Sequence, residues 1–207
     1  MVVKKNIGIF IFDEVDVLDF SGPYEVFSRT RMNPGLESRL SKKTAPFEVF
    51  TVSQSEKTIV ASGGLKIIAN YNFLDNPKID ILVVPGGMGT RILIENKRTI
   101  EWIQNVSNLA SLVTSVCTGS LLLAKAGILE NKKATTHWGA LSLLKKISSS
   151  TKIMTTERVV KDGVITSAGV SSGIDMAFTV VSMLCGEAVS SDTAKYIEYK
   201  RSDEIVV

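Results

Sequence analysis

The 207-residue sequence predicts an α/β fold, a three-layer sandwich with a mostly parallel central sheet, helices on both faces and a small hairpin at one edge. Strand-like and helical segments alternate along the whole chain, which is the order that parallel βαβ units require. The predicted strand Ile79 to Val84 is almost wholly apolar, as expected for a central strand that is buried on both faces. With 44% hydrophobic and 22% charged residues, the composition is typical of one globular domain, which we assign to residues 1–207.

Local signals define the individual elements. Ile7 to Phe12 is predicted as a strand, and Pro23 is predicted to stand at the first position of a helix that runs toward Arg31, because proline fits the first helical turn. The other predicted strands are Phe47 to Val52, Leu112 to Val116 and Lys133 to Thr136, with two pairings formed by Thr58 to Ala61 with Leu65 to Ala69 and by Ile153 to Val160 with Val164 to Thr166. The other predicted helices are Asn96 to Ala110, Thr118 to Ala126, Leu141 to Lys146, Ser172 to Cys185 and Ala188 to Tyr199.

The content of cysteine and histidine excludes several classes of site. The sequence has two cysteines and one histidine, with no Cys-x-x-Cys pair and no Cys/His cluster, so we expect neither a disulfide framework nor a metal site. Cys185 ends an apolar run and is predicted to lie in the core. The apolar run near the start stops at Asp13-Glu14, which is too short for a signal peptide, and we expect a cytoplasmic protein without membrane spans.

A basic segment accounts for the positive charge. Five basic residues and one acidic residue give positions 29–43 a net charge of +4, whereas the formal charge of the whole chain is +3. We predict a solvated loop here. The alternative is contact with nucleic acid or a membrane, but such a patch normally carries more charge and interleaved aromatic residues, so we expect neither partner.

Cys117 is the strongest candidate for a chemical role. It stands between the predicted strand Leu112 to Val116 and the helix that follows, and the next residues are Thr118-Gly119-Ser120. A cysteine on such a sharp strand-to-helix turn is pushed out of the sheet, and the N–H groups and dipole of the helix favour the thiolate. The alternative is a buried cysteine that acts as a small hydrophobic side chain, although that role does not require small residues directly after it.

Two other segments follow predicted strands and therefore belong at the same edge of the sheet. The loop 85–89 lacks the spacing of dinucleotide and phosphate-binding loops, so we expect no nucleotide cofactor. The N–H groups of Gly86, Gly87 and Thr118 are instead expected to stabilise negative charge on a substrate, unless the glycines only close a tight turn.

Asp19 is the acid that we pair with Cys117. It directly precedes Phe20-Ser21-Gly22-Pro23 and is expected to point into the crevice where the helix starts, the alternative being a helix cap. Because two adjacent anions repel, a thiolate at Cys117 would favour a protonated Asp19 that acts as proton donor. His137, the single histidine, is the usual type of partner for a catalytic thiol, but nothing in the sequence places it beside Cys117, and we favour a supporting role for it.

With Cys117, Asp19 and Pro85-Gly86-Gly87 taken together, the chain resembles the ThiJ/PfpI family of the class I glutamine amidotransferase-like superfamily. The resemblance extends from Ile7 to about Ala188. Within the family the chain is most similar to isocyanide (isonitrile) hydratases. Its Cys-Thr-Gly-Ser and Ala-Thr-Thr-His-Trp blocks are shared with the amino-terminal domains of AraC-type regulators, which continue into a DNA-binding region that we do not expect in a chain ending at Val207. The protease and deglycase branches carry a Glu and often a His where this chain has Asp19 and Thr118. The resemblance also rests on the blocks Leu18 to Pro23, Val84 to Gly87, Glu157 to Val160 and Ser172 to Asp175.

The resemblance implies a flavodoxin-like fold, a homodimer and a cofactor-independent lyase that hydrates a small isocyanide to an N-substituted formamide. Cys117 would be the nucleophile, Asp19 the general acid and Thr118 a further catalytic contact, with His137 and Gly169 close to the site. The alternatives are another hydrolase or glyoxalase activity of this family, or non-enzymatic redox or ligand sensing through Cys117.

Overall fold

Strands and helices alternate through the described residues, 4–55 and 58–201, of the computed structural model. The strands are β1 (Lys5–Phe10), β2 (Phe47–Ser53), β3 (Ile59–Val60), β4 (Lys66–Ile67), β5 (Tyr71–Asn72), β6 (Ile81–Val84), β7 (Leu112–Val116), β8 (Lys133–Ala134), β9 (Lys152–Ile153), β10 (Val159–Lys161) and β11 (Ile165–Ser167). The helices are α1 (Val17–Arg29), α2 (Thr90–Leu93), α3 (Lys97–Leu109), α4 (Gly119–Lys125), α5 (Leu141–Ile147), α6 (Ser172–Cys185) and α7 (Glu187–Tyr196).

The main sheet has seven strands in the order β10-β11-β7-β6-β1-β2-β5. All of its pairings are parallel except the one between β10 and β11, which confirms the predicted mostly parallel sheet. Strand β6 is buried at every position, as its apolar sequence predicts. Because the parallel strands point the same way, the segments that follow β1, β6, β7 and β11 emerge at one edge of the sheet.

The predicted hairpin is present as β3 and β4, which form a two-stranded antiparallel sheet of their own. Several other predicted boundaries were wrong. The strand predicted over Ile153 to Val160 is broken: β9 pairs with β8 in a small parallel sheet, and only β10 pairs with β11. Strand β5 and helix α2 were not predicted, because elements of two and four residues are too short to show a period. Cys185 packs against the core but is half-buried.

Helix α1 begins earlier than Pro23 predicts. It starts at Val17, so Pro23 lies inside the helix and Asp19 lies in its first turn and not in the preceding loop. Proline removes only one helical hydrogen bond, the one that the carbonyl of Asp19 would accept. Close packing supports the helix at this point, since a Cβ atom on Gly22 would lie 2.9 Å from the Ile174 side chain of α6.

The basic segment is only partly a solvated loop. Arg31 is buried and donates to four backbone carbonyls, those of Ser28, Thr30, Ser38 and Ser41. Arg39 is buried as well and pairs with Asp192 of α7 at 2.6 Å. Two of the five basic side chains therefore hold this segment against the body of the protein. Among the described residues, no helix combines the length and apolar character needed to cross a membrane.

Candidate active site

The backbone of Cys117 is held in a sharp turn between β7 and α4. Its φ of 56° lies in the left-handed region, which a side chain other than glycine occupies only where the surroundings enforce it. The N–H of Cys117 donates to the carbonyl of Ser167 at 3.1 Å, and its own carbonyl accepts from the hydroxyls of Ser120 and Thr136 at 3.1 and 3.0 Å. The predicted elbow is therefore present, and the side chain on it is 5% exposed.

Asp19 lies next to Cys117, buried in the first turn of α1. Its Oδ2 accepts the N–H of Gly86 at 2.9 Å. The chain before the helix is tied to the same loop, because the N–H of Asp16 donates to the carbonyl of Gly86 at 2.9 Å. Oδ1 of Asp19 is buried and makes no hydrogen bond of standard geometry within the described part of the chain, although the Cys117 thiol is near enough to lower the pKa of the carboxyl.

Burial controls the protonation of Asp19. It raises the pKa of the carboxyl from 3.8 to about 7, with a smaller contribution from the negative charge of Asp16. The N–H of Gly86 and the Cys117 thiol act in the opposite direction, because both hydrogen-bond to the charged form. Asp19 is therefore poised to gain or lose a proton near neutral pH.

The expected stabilisation of a thiolate by the helix end is outweighed in the structure. Burial and the negative charge of Asp19 raise the pKa of Cys117 to about 12. The N–H groups of Thr118 and Val170 face the sulfur and lower the pKa, but less strongly. Between about pH 7 and pH 12 the Cys117–Asp19 pair thus shares one proton between the sulfur and the carboxylate.

Val170 is the site residue that the sequence did not reveal. It lies in the loop between β11 and α6, and its backbone N–H faces the sulfur. A backbone contact carries no residue-type signal. The one available clue was the position of this loop, which follows a strand next to β7 at the carboxyl edge of the sheet.

The N–H groups of the two glycines after β6, predicted to face a substrate, have side-chain partners within the site. The N–H of Gly86 donates to Asp19, and the N–H of Gly87 donates to Oγ1 of Thr118 at 3.0 Å. Gly86 is nevertheless required for close approach, since a Cβ atom there would lie 2.5 Å from the N of Thr118 and 2.8 Å from Oδ2 of Asp19. The loop therefore orients the carboxylate, and the N–H of Thr118 stays directed at the sulfur.

The hydroxyl of Thr118 belongs to a buried network and does not point into free space. It accepts from the N–H of Gly87 and lies 3.1 Å from the hydroxyl of Thr90, which in turn donates to the carbonyl of Gly87 at 2.7 Å. We expect Thr118→Val to leave the Gly87 N–H without its partner and to reduce the free energy of unfolding by about 1–3 kcal/mol. Urea unfolding checks this, with Thr118→Ser as the matched control that keeps the hydroxyl. Equal losses in the two variants would contradict the network.

His137 lies against Gly169, the residue that precedes Val170. A Cβ atom on Gly169 would lie 3.0 Å from Cδ2 of His137, while Nδ1 of His137 accepts the N–H of Gly139 at 3.2 Å. No hydrogen bond within the described residues joins His137 to Cys117. Histidine therefore supports the loop that carries Val170, and the titratable neighbour of the thiol is Asp19.

A groove of about 690 Å³ is lined by residues of α1, α6 and α7 and of the segment that directly follows α7. Leu18 and Ile174 contribute to its wall, but neither Cys117 nor Asp19 does. Within the described residues, no group of three or more His, Cys, Asp or Glu side chains is arranged to hold a metal ion.

Comparison with known proteins identifies the family of the chain. The model of the DJ-1/PfpI family matches residues 5–183. The isonitrile hydratase of Pseudomonas putida is 36% identical over 194 residues, which cover 93% of this chain and 76% of the hydratase. The HTH-type transcriptional regulator GbdR of Pseudomonas aeruginosa is 22% identical over 201 residues, which cover 95% of this chain and 51% of the regulator.

Solved structures lead to the same family. A ThiJ/PfpI family protein from Pseudomonas syringae has a TM-score of 0.82 at 27% identity, covering 96% of this chain and 76% of that one. Drosophila melanogaster DJ-1beta has a TM-score of 0.78 at 19% identity, covering 95% of this chain and 99% of that one, a likeness of fold. The extent of the family match and the identity to the hydratase establish that the chain belongs to the DJ-1/PfpI family.

Proposed function

We propose that the protein hydrates an isocyanide, R–N≡C, to the N-substituted formamide, R–NH–CHO, with Cys117 as nucleophile and Asp19 as general acid. The observation that carries the proposal is the buried Cys117–Asp19 pair, which holds one proton above pH 7. The 36% identity to an isonitrile hydratase supports the choice of substrate. Under this proposal the enzyme is a lyase that needs no cofactor.

The first step adds the thiol across the terminal carbon of the isocyanide. The sulfur of Cys117 forms a bond to that carbon while Asp19 takes the thiol proton and delivers it to the same carbon, giving R–N=CH–S–Cys117. The N–H groups of Thr118 and Val170, which face the sulfur, stabilise the negative charge that the sulfur carries as its proton leaves. The step consumes no net proton, because the pair supplies the one that the carbon gains.

Water completes the reaction. It adds to the carbon of the thioimidate and the C–S bond breaks. Of the two water protons, one returns to the Cys117–Asp19 pair and the other goes to nitrogen, leaving R–NH–CHO. Asp19 thus acts first as acceptor and donor for the thiol proton and then returns to its resting state. His137 has no part in these transfers, because its Nδ1 accepts the N–H of Gly139 and no hydrogen bond among the described residues joins it to Cys117.

The direct test is turnover of a simple isocyanide by the purified protein. We expect loss of the isocyanide infrared band and appearance of the formamide by gas chromatography, and a protein mass increased by the thioimidate on Cys117 when the reaction is quenched. Cys185→Ala is the matched control, since this half-buried thiol lies outside the site, and it should retain full turnover. Absence of turnover by the unmodified protein would overturn the proposal.

The pH dependence follows from the shared proton. Below pH 7 both groups are protonated and Asp19 cannot accept the thiol proton, so kcat/KM should fall about tenfold per pH unit; above about 7 it should level off. Thiol with carboxylate and thiolate with carboxylic acid are one ionisation state, so both descriptions of the pair predict this profile. A measured kcat/KM that is flat between pH 5 and 8, or that falls with rising pH, would contradict the assignment of Asp19.

Two further expectations belong to the proposal. Residues 1–207 act as one domain, and the active form is a homodimer, as the family resemblance implies; sedimentation velocity tests the second point.

A sensing role through oxidation of Cys117 is less well supported, because the raised thiol pKa leaves little of the peroxide-reactive thiolate at neutral pH. Turnover of methylglyoxal without turnover of isocyanide would favour the other enzymatic alternative.

A further inference from the structure

The loop 168–171 brings the Val170 N–H to the sulfur of Cys117 and is held from both sides. On one side the ring of His137 packs against Gly169. On the other side is Arg158, whose carbonyl accepts the N–H of Ala168 at 2.9 Å and whose Nη2 lies 3.4 Å from the hydroxyl of Ser171. The residue before Val170 and the residue after it are therefore both anchored by side chains from elsewhere in the chain.

Arg158 is itself fixed by a buried carboxylate. Its Nε and Nη2 donate to Oδ2 of Asp175 at 3.0 and 2.6 Å, and the Asp175 side chain is only 2% exposed. Tyr199 donates its hydroxyl to Oδ1 of the same carboxylate at 3.0 Å and stacks on Phe178. A planar guanidinium with several donors can reach Asp175 and Ser171 together, which a single ammonium cannot do in the same way.

The anchor connects the loop to the first turn of α6. Asp175 lies one turn into that helix, and the N–H of Ser172 donates to the carbonyl of Gly169 at 2.9 Å, so the loop and the helix start share their hydrogen bonds. A displacement of Arg158 would therefore change the position of the Val170 N–H without altering Cys117, Asp19 or Thr118 directly.

We infer that Arg158 is a positioning residue for the nucleophile: its bonds to Asp175 and Ser171 hold the loop 168–171 so that the Val170 N–H stays directed at the sulfur of Cys117. The inference rests on the proposed function only for its kinetic consequences, because the arrangement of the sulfur and the N–H can be measured without any substrate. It predicts that loss of Arg158 weakens the stabilisation of developing negative charge on the sulfur.

The experiment compares Arg158→Ala and Arg158→Lys with Tyr199→Phe and with Arg29→Ala, an arginine paired with Glu25 on the surface. The first readout is the rate of Cys117 alkylation by iodoacetamide at pH 8, in the Cys185→Ala background. We expect it to fall about tenfold in both Arg158 variants, because a hydrogen bond to the charged form of sulfur is lost. Tyr199→Phe and Arg29→Ala should stay within about threefold of the parent, because the loop keeps Arg158.

Chemical rescue separates positioning from general stability. Arg158 is 33% exposed in its side chain, so added guanidinium ion at millimolar concentration should enter the gap in Arg158→Ala and restore most of the alkylation rate, whereas ammonium should not. If isocyanide turnover is present, kcat should fall about tenfold in the Arg158 variants with little change in KM, because the lost contact acts in the transition state.

The possible results of these experiments distinguish failure of the inference about Arg158 from failure of the proposed function. Slowed alkylation with guanidinium rescue supports the inference even if no isocyanide is consumed, in which case only the proposed function fails. Alkylation at the parental rate in Arg158→Lys, which keeps the charge and is the variant more certain to fold, overturns the inference. An equal slowing in Arg29→Ala also overturns it, because that arginine has no contact with the loop 168–171 and the effect would then be independent of the anchor.

Discussion

Asp19→Asn is expected to lower kcat/KM for an isocyanide about 10³-fold while making the protein more stable above neutral pH. The activity falls because asparagine cannot take the thiol proton, and a positioned proton-transfer group contributes about 10²–10⁴-fold to a rate. The fold should be preserved, since the amide oxygen of asparagine can accept the Gly86 N–H that Oδ2 of Asp19 accepts at 2.9 Å.

The gain in stability follows from the sign of the pKa shift. Burial raises the pKa of Asp19 from 3.8 in the unfolded chain to about 7 in the folded protein, so the folded state binds the proton more tightly. The associated stability is complete below pH 3.8 and is lost as the pH rises to about 7. Asparagine has no charge to bury, and relative to the parent it should therefore gain up to about 4 kcal/mol at pH 8.

Urea unfolding of the parent and of Asp19→Asn at pH 4 and pH 8 measures this effect. The difference between the two proteins should be small at pH 4 and should favour the variant at pH 8. Glu25→Gln, which neutralises an exposed carboxyl on the same helix, is the control and should show no such pH-dependent gain. An Asp19→Asn variant that is less stable than the parent at pH 8 would contradict the penalty for burying the charge.

Cys117→Ser and Cys117→Ala should each reduce turnover by about 10⁴-fold or more, because the proposed thioimidate forms only with the sulfur of Cys117. A serine hydroxyl has nearly the same shape as the thiol, but it ionises far less readily and is a weaker nucleophile. The two variants therefore separate the chemistry of sulfur from its packing.

Folding should survive both substitutions. The turn is held by hydrogen bonds to the backbone of Cys117, those from Ser120 and Thr136 and the one to Ser167, and none of these involves sulfur. Serine and alanine meet the same left-handed φ of 56° that cysteine already adopts. Near-ultraviolet circular dichroism and the thermal midpoint check the fold. Turnover by folded Cys117→Ala within tenfold of the parent would exclude Cys117 as the nucleophile.

Local patterns were sufficient for the features that depend on neighbours in the chain. The apolar run of β6, the turn at Cys117 and the boundaries of α6 are visible in the sequence because hydrophobic periodicity and turn chemistry act over a few residues. Predictions from local sequence patterns were wrong where a tertiary contact opposed them. Pro23 signals a helix start, but packing of Gly22 against Ile174 supports a helix that begins at Val17.

In the basic segment at positions 29–43, too, the sequence pattern predicted the exposure of the side chains only in part. Its charge pattern predicts a solvated loop, and most of its residues are exposed, yet Arg31 and Arg39 are buried. Whether an arginine faces water or a set of carbonyl oxygens depends on how the loop folds back on the protein. Arg39 illustrates the point, because its partner Asp192 lies more than a hundred positions away in the sequence.

The mostly parallel sheet and the strand-to-helix turn at Cys117 could be predicted from residue types at short spacings. Asp19 was expected near Cys117 because both follow strands of that sheet, and the two side chains are neighbours in the structure. The protonation of the pair, the use of the Gly86 and Gly87 N–H groups by Asp19 and Thr118, and the contact of Val170 with the sulfur became visible in the folded protein. The physical reason is that pKa values depend on burial and on charges brought together from distant positions, and that backbone N–H groups are the same in every residue except proline.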